Sequence, residues 1–185
     1  MSVRDRLLQA GEQILHEQGW PALTQPRIAK AAGVSQSHLT YYFPTRNALL
    51  VAIAEYSVDQ ALQRQLTQAP VNPAHSLAEA LAFLPRTRML LGLVTAADAD
   101  TSLRPALDRL VAHVRRTLLQ LLQHLGFQPE AASVLLCHAT IVGLAVMHLG
   151  RQSPESEAEI TTGLAQLFEL LPRATTASCE PSASA

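Results

Sequence analysis

A chain of 185 residues is long enough for one compact unit, or for a small domain joined to a larger one. With 48% hydrophobic and 16% charged residues and a net charge of −1, it has ample material for a core but lacks the basic excess of a general nucleic-acid coat. Cys137 and Cys179 form no C-x-x-C pair, no zinc ligand set is apparent, and no run reaches the ~18 uninterrupted apolar residues of a membrane span.

The first residues carry charges throughout and lack a signal-peptide core, so the chain reads as cytoplasmic, with no membrane partner and both thiols free. Val3, Leu7, Ala10, Gly11 and Ile14 recur at three- and four-residue steps and predict an amphipathic helix ending near Gly19. Trp20-Pro21-Ala22-Leu23 is a short link. Thr24 is a good N-cap for a second helix, in which Pro26 is tolerated in the first turn and which runs to about Ala32. Gly33 can take the left-handed conformation that stops one helix and lets the next leave at a steep angle. Ser35 then caps a third helix, to about Tyr42. Ile28, Ala29, Ala32, Val34 and Leu39 fall where the two crossed helices would touch. This is the sequence logic of a helix-turn-helix, whose second helix enters the DNA major groove.

Pro44 breaks the pattern, and Thr45 caps a long fourth helix, to about Leu66, with Leu49, Ile53 and Tyr56 inward. The stretch 69–73 is the clearest loop. Helical material from about Ser76 is interrupted by Pro85 and splits into pieces near 77–84 and 87–96, followed by a polar break at 98–102. Leu103, Leu107, Leu110, Val114, Leu118, Leu121 and Leu125 give a sustained stripe stopped by Gly126. Pro129 opens a helix to about Leu149 that is apolar on two faces and so needs two partners, one its own core and the other a second subunit. Ile160, Leu164, Leu167 and Leu171 mark the last helix, whose first turn is acidic. The end, 173–185, has the composition of a disordered tail. The fold expected is all-α, with about nine helices: a three-helix head at 1–47, then a helical body at 48–172. Five positive against three negative residues give 1–47 a charge of +2 and leave −3 on the rest, which suits DNA contact at one end.

Gly19-Trp20, Thr24, the run Ile28-Ala29-Lys30-Ala31-Ala32-Gly33-Val34-Ser35, Leu39, Tyr41-Tyr42-Phe43 and Arg46 together resemble the head pattern of the TetR family of transcriptional regulators. The match covers roughly residues 1–55. The rest agrees in length and helical layout with that family's ligand-binding, dimerising body. Departures at Ser37, His38, Thr40, Tyr42 and Arg46 change the chemistry of the recognition surface, so no relative's operator carries over. The resemblance implies a ligand-responsive repressor, a homodimer through its last two helices on a pseudo-palindromic operator, and an unidentified small-molecule effector. No cofactor and no enzymatic activity are expected. The alternative is a helical small-molecule-binding protein whose head no longer binds DNA.

On a helix entering the major groove the exposed N-terminal residues reach bases, which points to Gln36, Ser37 and His38; a side-chain amide such as Gln36 suits adenine N6 and N7. The resemblance makes Tyr42 and Arg46 backbone clamps and puts Thr24, Gln25 and Arg27 on the flanking strand. Ser35, Thr40 and Tyr41 complete the expected DNA surface. For the body, the resemblance implies a pocket, with Phe83, Met89, Leu93, His113, Thr117, His138 and Met147 as candidate lining residues. Met and Phe at helical spacing are more often core, and a histidine in an apolar stripe is more often bonded to a backbone carbonyl than a ligand group. Metal sensing lacks convergent ligands, and the apolar neighbourhood of Cys137 argues against redox sensing.

Overall fold

The computed structural model describes residues 1–67 and 73–173. The helices are Val3–Gln18 (α1), Gln25–Ala31 (α2), Gln36–Tyr42 (α3), Arg46–Thr67 (α4), Pro73–Leu81 (α5), Leu84–Ala99 (α6), Arg104–His124 (α7), Ala131–Arg151 (α8) and Pro154–Glu169 (α9). Short 3₁₀ turns at Trp20–Ala22 and Thr101–Leu103 join α1 to α2 and α6 to α7. Among the described residues no strand forms, and Phe127 and Arg173 make only an isolated antiparallel bridge. Most of the expected loop at 69–73 and the tail beyond Arg173 lie outside the described residues.

Local chemistry accounts for the element ends. The Ser2 hydroxyl and the Asp5 carboxylate close a capping box on α1. Gly33 has φ 65°, and the Val34 N–H turns back to the Ala29 carbonyl at 3.0 Å, so the α2–α3 turn is made by its own backbone. The Ser35 hydroxyl accepts from the His38 N–H at 3.2 Å, and the Thr45 hydroxyl accepts from the Ala48 N–H at 3.1 Å. Two readings need correction. Thr24 holds the backbone geometry of an N-cap, but its side chain makes no capping bond; Pro26 has removed one of the N–H groups such a cap would serve. The helical material does split in two, but the break falls at 82–83 and Pro85 sits in the first turn of α6, where a missing donor costs nothing, so that helix starts at Leu84, not near 87, and continues to Ala99.

Two apolar cores stack along the chain. The first joins Leu7, Leu15, Leu23, Ile28, Leu39, Leu49 and Ile53 of α1–α4 and their links to Met89 and Leu93 of α6 and Leu110 of α7. The head therefore shares its core with the upper body. The second gathers Leu118 and Leu122 of α7, Val134 and Cys137 of α8, and Ile160, Leu164 and Phe168 of α9, with Ala74 and Ala78 of α5. Each fully buried large side chain contributes about 1.5–3 kcal/mol of transfer free energy. Helix α4 touches α1 above and α7 below, while α6 touches α1, the Trp20 turn, α4, α7 and α8.

Helix α8 departs from the composition argument. It is, among the described residues, one helix long and apolar enough to cross a membrane by length and composition. It packs on α6, α7 and α9, yet leaves Leu135, Leu136, Val142 and Met147 exposed, the last at 54% and Leu136 at 63%. Ala132, Ala139, Gly143 and Gly150 are exposed along the same helix.

Candidate functional site

Two places carry chemistry. The first is the outer surface of the head. Leu39 is fully buried and Phe43 nearly so, which pins α3 to the head and turns its first residues outward. Gln36, Ser37 and His38 are all exposed. Tyr41, 80% exposed, meets Tyr42 edge-on at 5.3 Å between ring centroids. Arg46 opens α4 with its guanidinium over the Trp20 ring at 5.3 Å, exposed and without an acidic partner among the described residues.

Other residues singled out by the sequence are committed to the protein itself. The Ser35 hydroxyl is taken by its cap, and the Thr40 hydroxyl donates to the Gln36 carbonyl at 2.9 Å. The Arg27 guanidinium donates to Gln18 Oε1 at 2.7 Å, and the Gln25 amide donates to the Phe43 carbonyl at 3.4 Å. Thr24 is half-buried. Geometry thus brings Gln36, Ser37, His38, Tyr41, Tyr42 and Arg46 to the surface with side chains available, and sets Thr24, Gln25 and Arg27 at its edge.

The second place is a cavity of about 340 Å³ between α4, α6, α7 and α8. Its walls are apolar: Val58 and Leu62 from α4, Leu90 and Val94 from α6, Leu107 and Val111 from α7, Ile141 and Val142 from α8. Of the seven expected lining residues, Phe83, Thr117 and His138 face it. Met89 and Leu93 do not, because they lie on the other side of α6, in the head's core. His113 turns to α4, where its Nε2 meets Asp59 Oδ1 at 2.8 Å; its partner is a carboxylate, not the backbone carbonyl expected. Met147 lies on the outward side of α8. Burial, with the nearby Arg115 charge, lowers the His138 pKa below its usual value, which favours the neutral imidazole on the cavity wall.

Sequence reasoning missed the polar group at the cavity's edge. Arg86, in the first turn of α6, lines the cavity. It donates from Nε to the Ser57 hydroxyl at 2.9 Å and from Nη1 to the Ala80 carbonyl at 3.0 Å. Ser57 is fully buried and donates its hydroxyl to Glu12 Oε1 at 3.2 Å. Glu12 is itself buried, accepts also from His16 at 3.0 Å, and has Arg64 at 3.9 Å. Burial lowers Arg86 from its ordinary range; the Glu12 carboxylate opposes that shift and the Arg64 charge adds to it. The signal was present in the sequence: Glu12 sits on the buried stripe between Leu8 and Leu15, where a carboxylate needs an internal cation. Among the described residues no group of three or more His, Cys, Asp or Glu could hold a metal ion. Cys137 is buried and free, and burial raises its thiol pKa, which disfavours the reactive thiolate.

Comparison with known proteins adds to this geometry. Residues 7–53 match the model of the family described as bacterial regulatory proteins, tetR family. The chain is 27% identical over 169 residues to the HTH-type transcriptional regulator CymR of Pseudomonas putida, an alignment covering 84% of this chain and 83% of that one. Its fold is similar to that of the multidrug binding protein EbrR complexed with ethidium, with a TM-score of 0.60 and 19% identity over 90% of this chain and 98% of that one. A member of the TetR family from Streptomyces coelicolor A3 gives 0.58 and 20% over 90% and 98%.

Proposed function

We infer that this chain, which belongs to the TetR family by its residues 7–53, is a ligand-responsive DNA-binding transcriptional regulator acting as a homodimeric repressor. The observation that carries the reading is the exposed first turn of α3, anchored from behind by buried Leu39 and flanked by Tyr42 and Arg46. In this reading Gln36, Ser37 and His38 meet base edges, and Tyr42 and Arg46 hold phosphates, with Thr24, Gln25 and Arg27 on the neighbouring strand. Residues 1–47 act as the reading head and 48–172 as the sensing and dimerising body.

The outward stripe of α8 supports the dimer. Leu136 and Met147 stand among Ala132, Ala139, Gly143 and Gly150, and α9 adds exposed Ala158 and Ala165. Large side chains between small ones let two helices approach closely, and such a face is too apolar to leave in water. A two-fold dimer reads a pseudo-palindrome whose half-sites lie about 34 Å, or a multiple of that turn repeat, apart. The cavity is the effector chamber. An effector acts by its different affinity for the DNA-reading arrangement of the heads and for another arrangement.

The test is a mobility-shift titration of the full chain on its own upstream region at ~50 mM salt, with sedimentation in parallel. A retarded, symmetric fragment that binds one dimer is the expected result. No retardation at micromolar protein would overturn the regulator reading, and a monomer at that concentration would overturn the dimer.

A further inference from the structure

We propose that the effector is an amphipathic organic anion, with its apolar body in the cavity among α4, α6, α7 and α8 and its charged head between Arg86 and Arg64. The proposal rests on the reading of that cavity as the effector chamber and assigns it a ligand class. Beside the cavity lies a smaller recess of about 270 Å³, and the two share Ala61, Gln65, Ala80, Phe83 and Arg86 as a common rim. The recess adds His16, Arg64 and Glu79. Apolar cavity and polar recess therefore adjoin through shared side chains, and Arg86 lines both.

The charge that reaches the cavity itself is positive: Arg86 lines it, while Arg64 and Glu79, of opposite sign, line the recess beside it. Two guanidiniums, Arg64 and Arg86, face one buried carboxylate, Glu12. Glu79 is largely exposed and has His75 at 3.6 Å. Arg86 uses Nε and Nη1 on Ser57 and Ala80, which leaves Nη2 without a hydrogen bond among the described residues, on a side chain that lines the cavity. A guanidinium in a mostly apolar wall is costly unless an anion meets it. A cationic ligand would add a third positive charge to the same rim.

The same placement supplies the link to the head. Glu12 belongs to α1, and its Oε2 is buried without a hydrogen-bond partner among the described residues, while Oε1 takes the His16 and Ser57 contacts. An anion seated at Arg86 repels this carboxylate and competes for its counter-charge. Ligand and the present seat of α1 are thus mutually unfavourable, which is the differential affinity that release from DNA requires.

The test uses the full chain and three probes with one tail: octanoate, octan-1-ol and octylammonium. Affinities are read by calorimetry at pH 7.5, and operator affinity is read with and without each probe. Octanoate is expected to bind about tenfold tighter than the alcohol, as one desolvated charge-assisted contact allows, with octylammonium weakest. Arg86→Met should bring octanoate down to the level of the alcohol and leave the alcohol unchanged. Arg64→Gln, at a half-exposed position that can change without loss of fold, should weaken octanoate several-fold, by roughly the value of a partly screened charge, and spare the alcohol. Octanoate should lower operator affinity, and Glu12→Gln should shrink that effect. Equal binding of the three probes, no binding of octanoate, or an octanoate affinity left unchanged by Arg64→Gln overturns the proposal. Operator binding without any probe tests the regulator reading separately, so failure of one is not failure of the other.

Discussion

A single added methyl group at Gly92 tests how the body holds the head. On α6, the Cβ of an alanine at this position would stand 2.6 Å from Cζ2 and 3.0 Å from Cε2 of Trp20. Ordinary carbon–carbon contact is about 3.5–4.0 Å, so the indole must move. It is a rigid ring, partly buried against the first core and covered on another side by the Arg46 guanidinium at 5.3 Å. Replacing glycine in a helix interior gains about 1 kcal/mol. Forcing a methyl into a packed contact costs about 1–3 kcal/mol. The net effect on folding is therefore small, about 0–2 kcal/mol, and the thermal midpoint should fall by no more than about 8 °C. DNA binding should suffer more. The free protein can relieve the contact by tilting the Trp20 turn and the head with it, whereas an operator demands both heads in the reading position. Restoring about 1 kcal/mol of strain in each of two protomers lowers operator affinity about 30-fold. Trp20 is the sole tryptophan, so its emission reports the displacement directly. Gly92→Ala should shift that emission and weaken the operator complex together. Unaltered emission with unaltered operator affinity would show that α6 does not set the head's position, and the reasoning would fail.

Other outcomes follow from the same geometry. Arg46→Ala should weaken binding to every DNA sequence and lower the salt slope by about one unit, whereas Gln36→Ala should relax preference at one base position; titrations at several salt concentrations on operator variants separate the two. At Gly143, on the outward stripe of α8, an added Cβ meets nothing within 4 Å inside the protomer. Gly143→Ala should therefore stabilise the isolated protomer by up to about 1 kcal/mol, yet weaken the dimer if the partner's helix lies there, a divergence that sedimentation and chemical denaturation read together. For His138 the folded state holds the proton less tightly than the unfolded chain does. The unfolded state then binds more protons, so stability rises with pH and is lost as pH falls below about 6.5. Thermal midpoints at pH 5.5 and 7.5 should differ less in His138→Gln than in the parent chain.

The head was legible because its determinants are local. Gly33 and Ser35 act within a turn, through one left-handed residue and one hydroxyl, and Leu39 reads as core from its spacing to Ile28 and Val34. Thr24 shows where that ends: the residue type was right for a cap, but the proline two places on took away a donor. The cavity was much less legible. Which side of α6 faces it is decided by Trp20 lying against Gly92, a contact between residues 72 positions apart. With that side fixed, Leu90 and Val94 go to the cavity and Met89 and Leu93 to the head's core. Helical spacing gives the angle between these residues but not the direction in which either group points. Nothing near Arg86 in sequence announces Ser57 and Glu12 as its neighbours.

Two contacts of different kinds tie α6 to the head, and their difference matters. Gly92 against Trp20 is steric: it resists compression but does not pull. The path from Arg86 through Ser57 to Glu12 is electrostatic: it draws α1 toward α6 and α4 and weakens when its charges are answered elsewhere. Both contacts lie on the helix that also walls the cavity with Thr87, Leu90, Leu91 and Val94. A ligand that only fills the cavity can push α6 against the indole, whereas one that also engages Arg86 removes the force holding α1 in place. The second acts on the polar path even if the helix moves by less than an ångström, because repulsion at Glu12 does not require displacement of the backbone first. Gly92→Ala and Arg86→Met therefore perturb separate terms. If both paths act, the double variant should lose operator affinity by about the product of the single losses, since the two contacts share no side chain.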